Sequence, residues 1–347
     1  MSSTMKIGIL GGGQLGKMIA QAARRLPFPV EIAIYDASPN ACARTESDSF
    51  SVGSFHDAQS MLTFASGHDI VTYEFENIDP DIVTRMSNVP QGASALGILQ
   101  NRLKEKEFIN SLPGVQCVPY TLVEDQCPFD YPYIVKPISL GYDGKGQHVI
   151  ADERDERYLK EGMVAEQYLS DVTEYSIIIA RNIQGEIIGY PTFENSHVNQ
   201  ILDTTRFAQI DTIWEDAMRK KAISIAEALG YCGVLTVEFF FSNDRLYVNE
   251  VAPRVHNSGH VTLDAVQASQ FDLHLFGLLG LPFPELEVDT SWCMVNVLGQ
   301  HYRRVCDRDL PGHFYDYGKQ STKSNRKVGH INGRLCDLEL LKRARIA

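Results

Sequence analysis

Short apolar runs alternate with helical periodicities along the first ninety residues. KIGIL (6–10) reads as a short buried strand, followed by GGGQLG and an apolar helical stretch through Ala23. VEIAIY (30–35) reads as a second strand ending at Asp36, and DSFSVG and DIVTYEF supply further strand candidates. This β-α-β-α-β order predicts a parallel sheet with helices on its faces. The pattern fades near residue 95.

The remainder alternates differently. NRLKEKEFINS (101–111) reads as a helix ended by Pro113-Gly114. YPYIVKP is a strand carrying Lys136, and the Gly-rich SLGYDGKGQ leads into a second strand, HVIA. MVAEQYL and TEYSIIIAR add strands. Residues 216–229 place Met218, Ala222, Ile225, Ala226 and Leu229 on one helical face, with Asp216 near the start and Gly230 as the stop. VLTVEFFF and RLYVNEVA flank SND as a hairpin, residues 261–279 read as one helix, and GKQSTKSNRK is a polar, flexible-looking stretch. The fold class expected is α/β, mixed α+β in the C-terminal part. The divisions expected are an N-terminal Rossmann-like domain (1–105), a lid sub-domain (106–172) and a C-terminal catalytic sub-domain with its tail (173–347).

Composition narrows the function classes. The chain has 347 residues, 44% hydrophobic and 22% charged, with a net charge of −12. Lys and Arg are scattered, so no nucleic-acid partner is expected. No apolar run reaches the ~18 residues a membrane helix needs, so no membrane partner is expected. The start lacks a basic segment followed by an apolar one, so it does not read as a secretion signal. The cysteines number seven, widely spaced and without a C-x-x-C, which predicts buried reduced thiols in a cytoplasmic protein.

Gly11, Gly13 and Gly16 spell G-x-G-x-x-G between a strand and a helix, and Asp36 follows Gly16 by twenty residues. That pattern fits a dinucleotide, with Asp36 on a ribose hydroxyl. It equally fits another phosphate at the helix N-terminus, or glycines present only for packing. An NAD-dependent oxidoreductase is therefore one reading.

The second half points elsewhere. A short odd-length loop centred near Asp244 would set Glu238 and Glu250 opposite each other across the hairpin. Like charges so placed destabilise a sheet pair, by about 4 kcal/mol at ~4 Å and an effective dielectric of ~20. A shared proton or a bound Mg²⁺ would offset this, and Asn249 adds an oxygen beside Glu250. Upstream lie Lys136 and a glycine loop, 141–147, whose backbone N–H groups can approach phosphate oxygens. One lysine, a glycine loop, an interstrand hinge (AEQYL) and two acidic metal ligands appear in the order of an ATP-grasp fold.

The chain resembles the 5-(carboxyamino)imidazole ribonucleotide synthase family of ATP-grasp enzymes in microbial purine biosynthesis. The resemblance rests on GGGQLGKM (11–18), VTYEFENI (71–78), IVKP (134–137), GYDGKGQ (141–147), EQYL (166–169), VEFF (237–240), NEVAPRVHNSGH (249–260), ASQFDLHL (268–275) and RKVGH (326–330). It implies that ATP phosphorylates bicarbonate to carboxyphosphate, and that the released CO₂ is captured by the exocyclic amine of 5-aminoimidazole ribonucleotide. It further implies that Arg102 and Lys136 contact ATP phosphates, with Gly141, Tyr142, Asp143, Gly144, Lys145, Gly146 and Gln147 as the lid. Glu166, Gln167, Tyr168 and Leu169 would hold adenine, Glu174 the ribose, and His197 and Asn249 would add nucleotide contacts. Glu238 and Glu250 would hold Mg²⁺ or Mn²⁺. Gln14, Leu15, Glu76, Tyr142, Lys319, Arg326 and Lys327 would line the ribonucleotide side, with the N-terminal loop on its phosphate. Asp143, Arg254, His256 and Asn257 would form the catalytic set, Asp143 relaying a proton and Arg254 holding bicarbonate. Relatives imply a homodimer. The neighbouring alternative is a formate-dependent glycinamide ribonucleotide transformylase, which shares the acidic hairpin. A non-catalytic nucleotide-binding relative is a third.

Overall fold

The computed structural model describes residues 4–124, 127–139, 146–306 and 309–346. The expected parallel sheet is present. Its order is Ser49–Val52, Val30–Asp36, Met5–Leu10, Ile70–Tyr73, every pair parallel. Helices Gln14–Ala23 and Ala58–Ser66 connect strands, while the second-to-third connection contains only a 3₁₀ turn, Cys42–Glu46. Helix Gln14–Ala23 buries Leu15, Met18, Ile19, Ala22 and Ala23, and the same core contains Leu273 and Leu278 of helix Gln270–Leu279. Each such Leu, Ile or Met side chain removed from water contributes about 1.5–3 kcal/mol, which locks the N-terminal layer to the C-terminal one.

Two antiparallel sheets follow. The smaller is ordered Tyr120–Leu122, Met163–Gln167, Tyr133–Pro137, His148–Ile150. The larger spans Thr173–Arg181 to Lys327–Arg334 and ends at one edge in the hairpin Gly233–Ser242/Arg245–Ala252. Helix Arg102–Ser111 docks on the large sheet, since Ile109, Val115 and Cys117 share a core with Ile177, Val237 and Val248.

Two helices differ from the sequence expectation. The helix expected over 216–229 begins a turn earlier, at Thr212, because the Asp211 side chain accepts from the Ile213 N–H and caps it. Gly230 ends it at φ 59°, in the left-handed region. The single helix expected over 261–279 is two, Thr262–Ala265 and Gln270–Leu279. Ser269 and Asp272 form a reciprocal capping box that starts the second. Among the described residues no helix is long and apolar enough to cross a membrane.

Candidate active site

The hairpin does oppose Glu238 to Glu250, by a route other than the one expected. The connection is a two-residue turn, Asn243-Asp244, with φ 50° and 54°, matching a type I′ hairpin. Such a turn alone would pair Glu238 with Asn249 and send Glu250 to the opposite face. A bulge between Glu238 and Phe239 absorbs Asn249 as an extra residue and brings Glu250 back opposite Glu238. Asn249 then lies beside the pair, its Nδ2 3.5 Å from Glu238 Oε2. Burial, then the charge of Glu250, pushes the Glu238 carboxyl up to about 7.

Cations surround these carboxylates. Arg102 opens its helix with its N–H on Ile138 O (2.7 Å) and its guanidinium 3.9 Å from Glu250 Oε2. Burial penalises the Arg102 charge, but Glu250, Glu105, Glu166 and Glu238 together hold its pKa above the usual value. Lys136 Nζ donates to Glu166 Oε2 at 2.7 Å and reaches Asn249 Oδ1 at 3.5 Å. Burial, with help from Arg102 and Lys106, draws the Lys136 pKa down despite Glu166. On the other side of Glu166, Lys106 Nζ lies 3.0 Å from Oε1. The Glu166 side chain therefore points inward, held at about 2 against its burial by these lysines. Its backbone and the more exposed Gln167, Tyr168 and Leu169 are what this stretch presents outward.

Arg254 and Glu76 form a two-armed pair, Nε to Oε2 and Nη2 to Oε1 (3.3 Å), joining the large sheet's site to the N-terminal layer. Burial opposes ionisation of Glu76, yet Arg254 brings its pKa below the usual range. His256 Nε2 lies 3.3 Å from Glu238 Oε1, and its Nδ1 lies 2.9 Å from Ser258 Oγ. Burial, then Arg254 and Lys327, keeps this imidazole neutral, well below its usual pKa. At the other end, Glu174 pairs with His197 at 3.1 Å. Burial lowers the His197 pKa, but Glu174 more than offsets it, and the net shift is upward.

Asn257, expected in the catalytic set, has its amide engaged reciprocally with Asn296, at 3.0 and 2.8 Å, and is buried. The Leu15 side chain lies in the core of the N-terminal layer, so the face it offers a ligand is its backbone. Gly141, Tyr142, Asp143, Gly144 and Lys145 lie outside the described residues. Gly146 stands at φ 77° against the Pro137 ring.

The N-terminal loop is a second anion-facing element. Gly11 sits at φ 107°, and a Cβ on Gly16 would meet Gly11 O at 2.3 Å, so strand and helix approach as only glycine allows. The loop already holds carboxylates: Gly12 N–H donates to Asp36 Oδ2 (2.6 Å) and Gly13 N–H to Glu74 Oε1 (2.8 Å). Asp36 also accepts from Ser38 N–H at 2.7 Å, folded back on its own loop and not extended toward a ribose. Burial pushes Glu74 up to about 7. The first-turn N–H groups, 14–16, have no carbonyl partner within the helix by its geometry, and no side chain caps them. Over this end lies the tail. Lys17 Nζ donates to Tyr317 O (3.4 Å), Lys319 Nζ donates to Lys327 O (2.8 Å), and Lys319 is close enough to Glu74 and Cys42 to feel both. Arg326 is exposed nearby, donating to Ser321 O at 3.4 Å.

Three stretches match known families: 4–100 the ribonucleotide synthetase preATP-grasp domain, 119–271 the ATP-grasp domain, and 293–343 the phosphoribosylaminoimidazole carboxylase C-terminal domain. The N5-carboxyaminoimidazole ribonucleotide synthase of Staphylococcus aureus is 38% identical over 94% of this chain and 91% of its own length. The chain belongs to the N5-carboxyaminoimidazole ribonucleotide synthase family.

Solved structures agree. The Staphylococcus aureus N5-carboxyaminoimidazole synthetase complexed with ADP superposes with a TM-score of 0.92 at 34% identity, covering 100% of this chain and 98% of that one. The Aspergillus clavatus N5-carboxyaminoimidazole synthase, in complex with ADP and 5-aminoimidazole ribonucleotide, gives 0.86 at 26% identity, covering 100% and 98%. As an N5-carboxyaminoimidazole ribonucleotide synthase family member, the chain is an ATP-grasp ligase and not a nicotinamide oxidoreductase, which agrees with Asp36 being folded back on the loop.

Sequence reading missed two residues in the site. Lys106 and Glu105 lie in the charged run LKEKE, which resembles a solvated helix face, yet both are buried. Glu105 Oε1 accepts from Val251 N–H at 2.7 Å, beside Glu250, and burial, then Glu250, pushes it up to about 8. Their signal was periodicity: Arg102, Glu105 and Lys106 are three and four apart and share one helix face.

Proposed function

We propose that bicarbonate is the carbon source for this ligase and that its carboxyphosphate forms at the acidic hairpin. The chain carries out ATP-dependent carboxylation of 5-aminoimidazole ribonucleotide to the N5-carboxyamino product in purine biosynthesis. The observation that carries the finer reading is the opposed pair Glu238/Glu250, ringed by Arg102, Lys136 and Arg254. Two facing carboxylates, with one amide oxygen beside them, suit a cation taking its other ligands from phosphates and water. Among the described residues no cluster of three or more His, Cys, Asp or Glu forms a closed metal cage. Glu238 and Glu250 would thus hold Mg²⁺ (or Mn²⁺), which when bound would neutralise charge on the transferring phosphoryl group.

The protein's own groups divide the remaining work. Arg102 and Lys136 hold phosphate oxygens. Arg254, kept ionised by Glu76, which takes its Nε–Nη2 edge, would offer bicarbonate its remaining N–H groups. The N-terminal helix end, with Lys319, Arg326 and Lys327, takes the ribonucleotide phosphate and so sets the exocyclic amine toward the hairpin. Exclusion of water protects the labile carboxyphosphate. We also place the protein in the cytoplasm as a homodimer; its seven free cysteines support a reducing compartment.

The test is ADP formation from Mg-ATP with bicarbonate, with and without 5-aminoimidazole ribonucleotide. Strong stimulation by the ribonucleotide that requires bicarbonate is expected. Stimulation that persists in bicarbonate-free buffer would overturn the carbon-source assignment. Gel filtration with light scattering reads the dimer; a monomer at micromolar concentration would remove that part.

A further inference from the structure

We infer that Lys106 is a positioning residue for ATP, acting through Glu166 to keep a net positive charge at Lys136. The inference rests on the reading that Lys136 meets the ATP phosphates. Glu166 divides its oxygens between two lysines, Oε2 to Lys136 at 2.7 Å and Oε1 to Lys106 at 3.0 Å. All three groups are buried, and Lys106 is 0% exposed. Its ammonium is sealed between the Glu166 carboxylate and the Tyr120 ring, 5.6 Å from the ring centroid. It cannot touch a ligand, so any effect on one is indirect, through the shared Glu166 carboxylate and the field of its charge at Lys136.

Charge counting gives the consequence. Lys136 and Glu166 alone would form a closed, neutral pair, and the carboxylate would compete with phosphate for the ammonium. With Lys106 on the second oxygen, the cluster carries one net positive charge and the Glu166–Lys136 attraction is shared. Lys106 stands one helical turn after Arg102 on the same face of Arg102–Ser111. One helix therefore delivers Arg102 to the Glu250 side of the site and Lys106 beneath it. Stability does not demand the arrangement, because a buried ion cluster is commonly no more stabilising than apolar packing of the same volume. Its geometry serves the neighbouring cation.

The experiment is calorimetric titration of the full chain with AMP-PNP and magnesium, with a thermal melt for each variant. Lys136→Met tests the underlying reading; unchanged affinity there sinks the ATP-phosphate role of Lys136 whatever Lys106 does. Given weakened binding in that variant, Lys106→Met is expected to weaken binding about tenfold, the order for one buried charge near a polyanion. The double variant Lys106→Met/Glu166→Gln restores one net positive charge and should return to within about threefold of wild type, a non-additive rescue. A packing role predicts no rescue. Lys106→Met within about twofold of wild type, or a double variant no tighter than Lys106→Met, overturns the inference. Where Lys106→Met does not fold, the double variant decides alone: near-wild-type affinity supports the inference, and affinity as weak as Lys136→Met overturns it.

Discussion

The acidic hairpin and the N-terminal glycine loop are the two elements proposed to meet phosphates, and they are built in opposite ways. In the hairpin, side chains carry the charge: Glu238 and Glu250 are forced together by strand register, and Arg102 and Lys136 stand against them. In the loop, backbone N–H groups and a helix end carry it, Asp36 and Glu74 already occupy two of those N–H groups, and the tail lends its lysines. A side-chain site narrows its ligand, because two facing carboxylates are relieved by a shared proton or by a cation, and a cation takes its other ligands from an anion. A backbone site accepts many anions. The G-x-G-x-x-G pattern thus fits a dinucleotide and a ribonucleotide phosphate equally, whereas the hairpin suits the metal–nucleotide proposed for it.

The largest expected effect breaks the hairpin half. Glu250→Gln removes one carboxylate while keeping its shape, and should lower kcat at least ~100-fold in ADP-release assays. The melting temperature should hold or rise slightly, since a like-charge pair across the strands is relieved. Turnover near wild type would show that the carboxylate pair is not the metal site.

The next effect separates the halves. Lys319→Ala should raise KM for 5-aminoimidazole ribonucleotide about 10–100-fold, the cost of one charge-assisted phosphate contact, while nucleotide affinity stays unchanged. A matching loss of ATP affinity would place Lys319 at the other anion. Lys319 also brings a pH signature. Burial, then Arg326, lowers its pKa to about 8. The cationic form binds phosphate and is lost as pH rises through that value. In the free enzyme, kcat/KM for the ribonucleotide should therefore fall above pH ~8, and Lys319→Arg should remove that limb. A limb that survives the arginine belongs to another group.

Legibility divided along the same line. Opposition of Glu238 and Glu250 was reached by counting across an odd-length loop, a local relation; the actual turn has two residues, and the bulge at Asn249, which nothing in the count signalled, restores the pairing. The Asn257–Asn296 pair joins residues 39 apart, and the Lys106–Glu166 contact spans 60, so nothing near either residue announced a partner. Lys106 and Glu105 were hidden differently: a K/E-rich helix is exposed unless other surfaces cover it, and here the large sheet covers Glu105 at Val251 and the smaller sheet covers Lys106 at Glu166 and Tyr120. The break in 261–279 was readable, because Ser269 and Asp272 spell a capping box, but the apolar periodicity ran through it. Cap residues outvoted hydrophobic pattern there, and again at Asp211.

The smallest effect sharpens the hairpin itself, because two connections bring Glu238 opposite Glu250. One is a three-residue loop centred on Asp244, which needs a left-handed residue only at its last position, Arg245. The other is the observed two-residue turn, with both Asn243 and Asp244 left-handed, followed by a bulge at Asn249. The two differ in what position 244 asks of its residue. In the two-residue turn, Asp244→Gly creates Asn-Gly, the favoured type I′ pair, and should stabilise the fold by ~0.5 kcal/mol. In the three-residue loop, position 244 is right-handed, and glycine there costs ~0.5–1 kcal/mol in chain entropy. The sign of the change in urea midpoint, with m unaltered, therefore decides between them. Turnover should be untouched, because the turn lies five residues along the strand from Glu250 and neither side chain of the turn enters the site. A stabilising sign fixes the bulge as the device that brings Glu250 back to the site face and sets Asn249 beside it; a destabilising sign returns Asn249 to the ordinary ladder and takes it from beside the carboxylate pair.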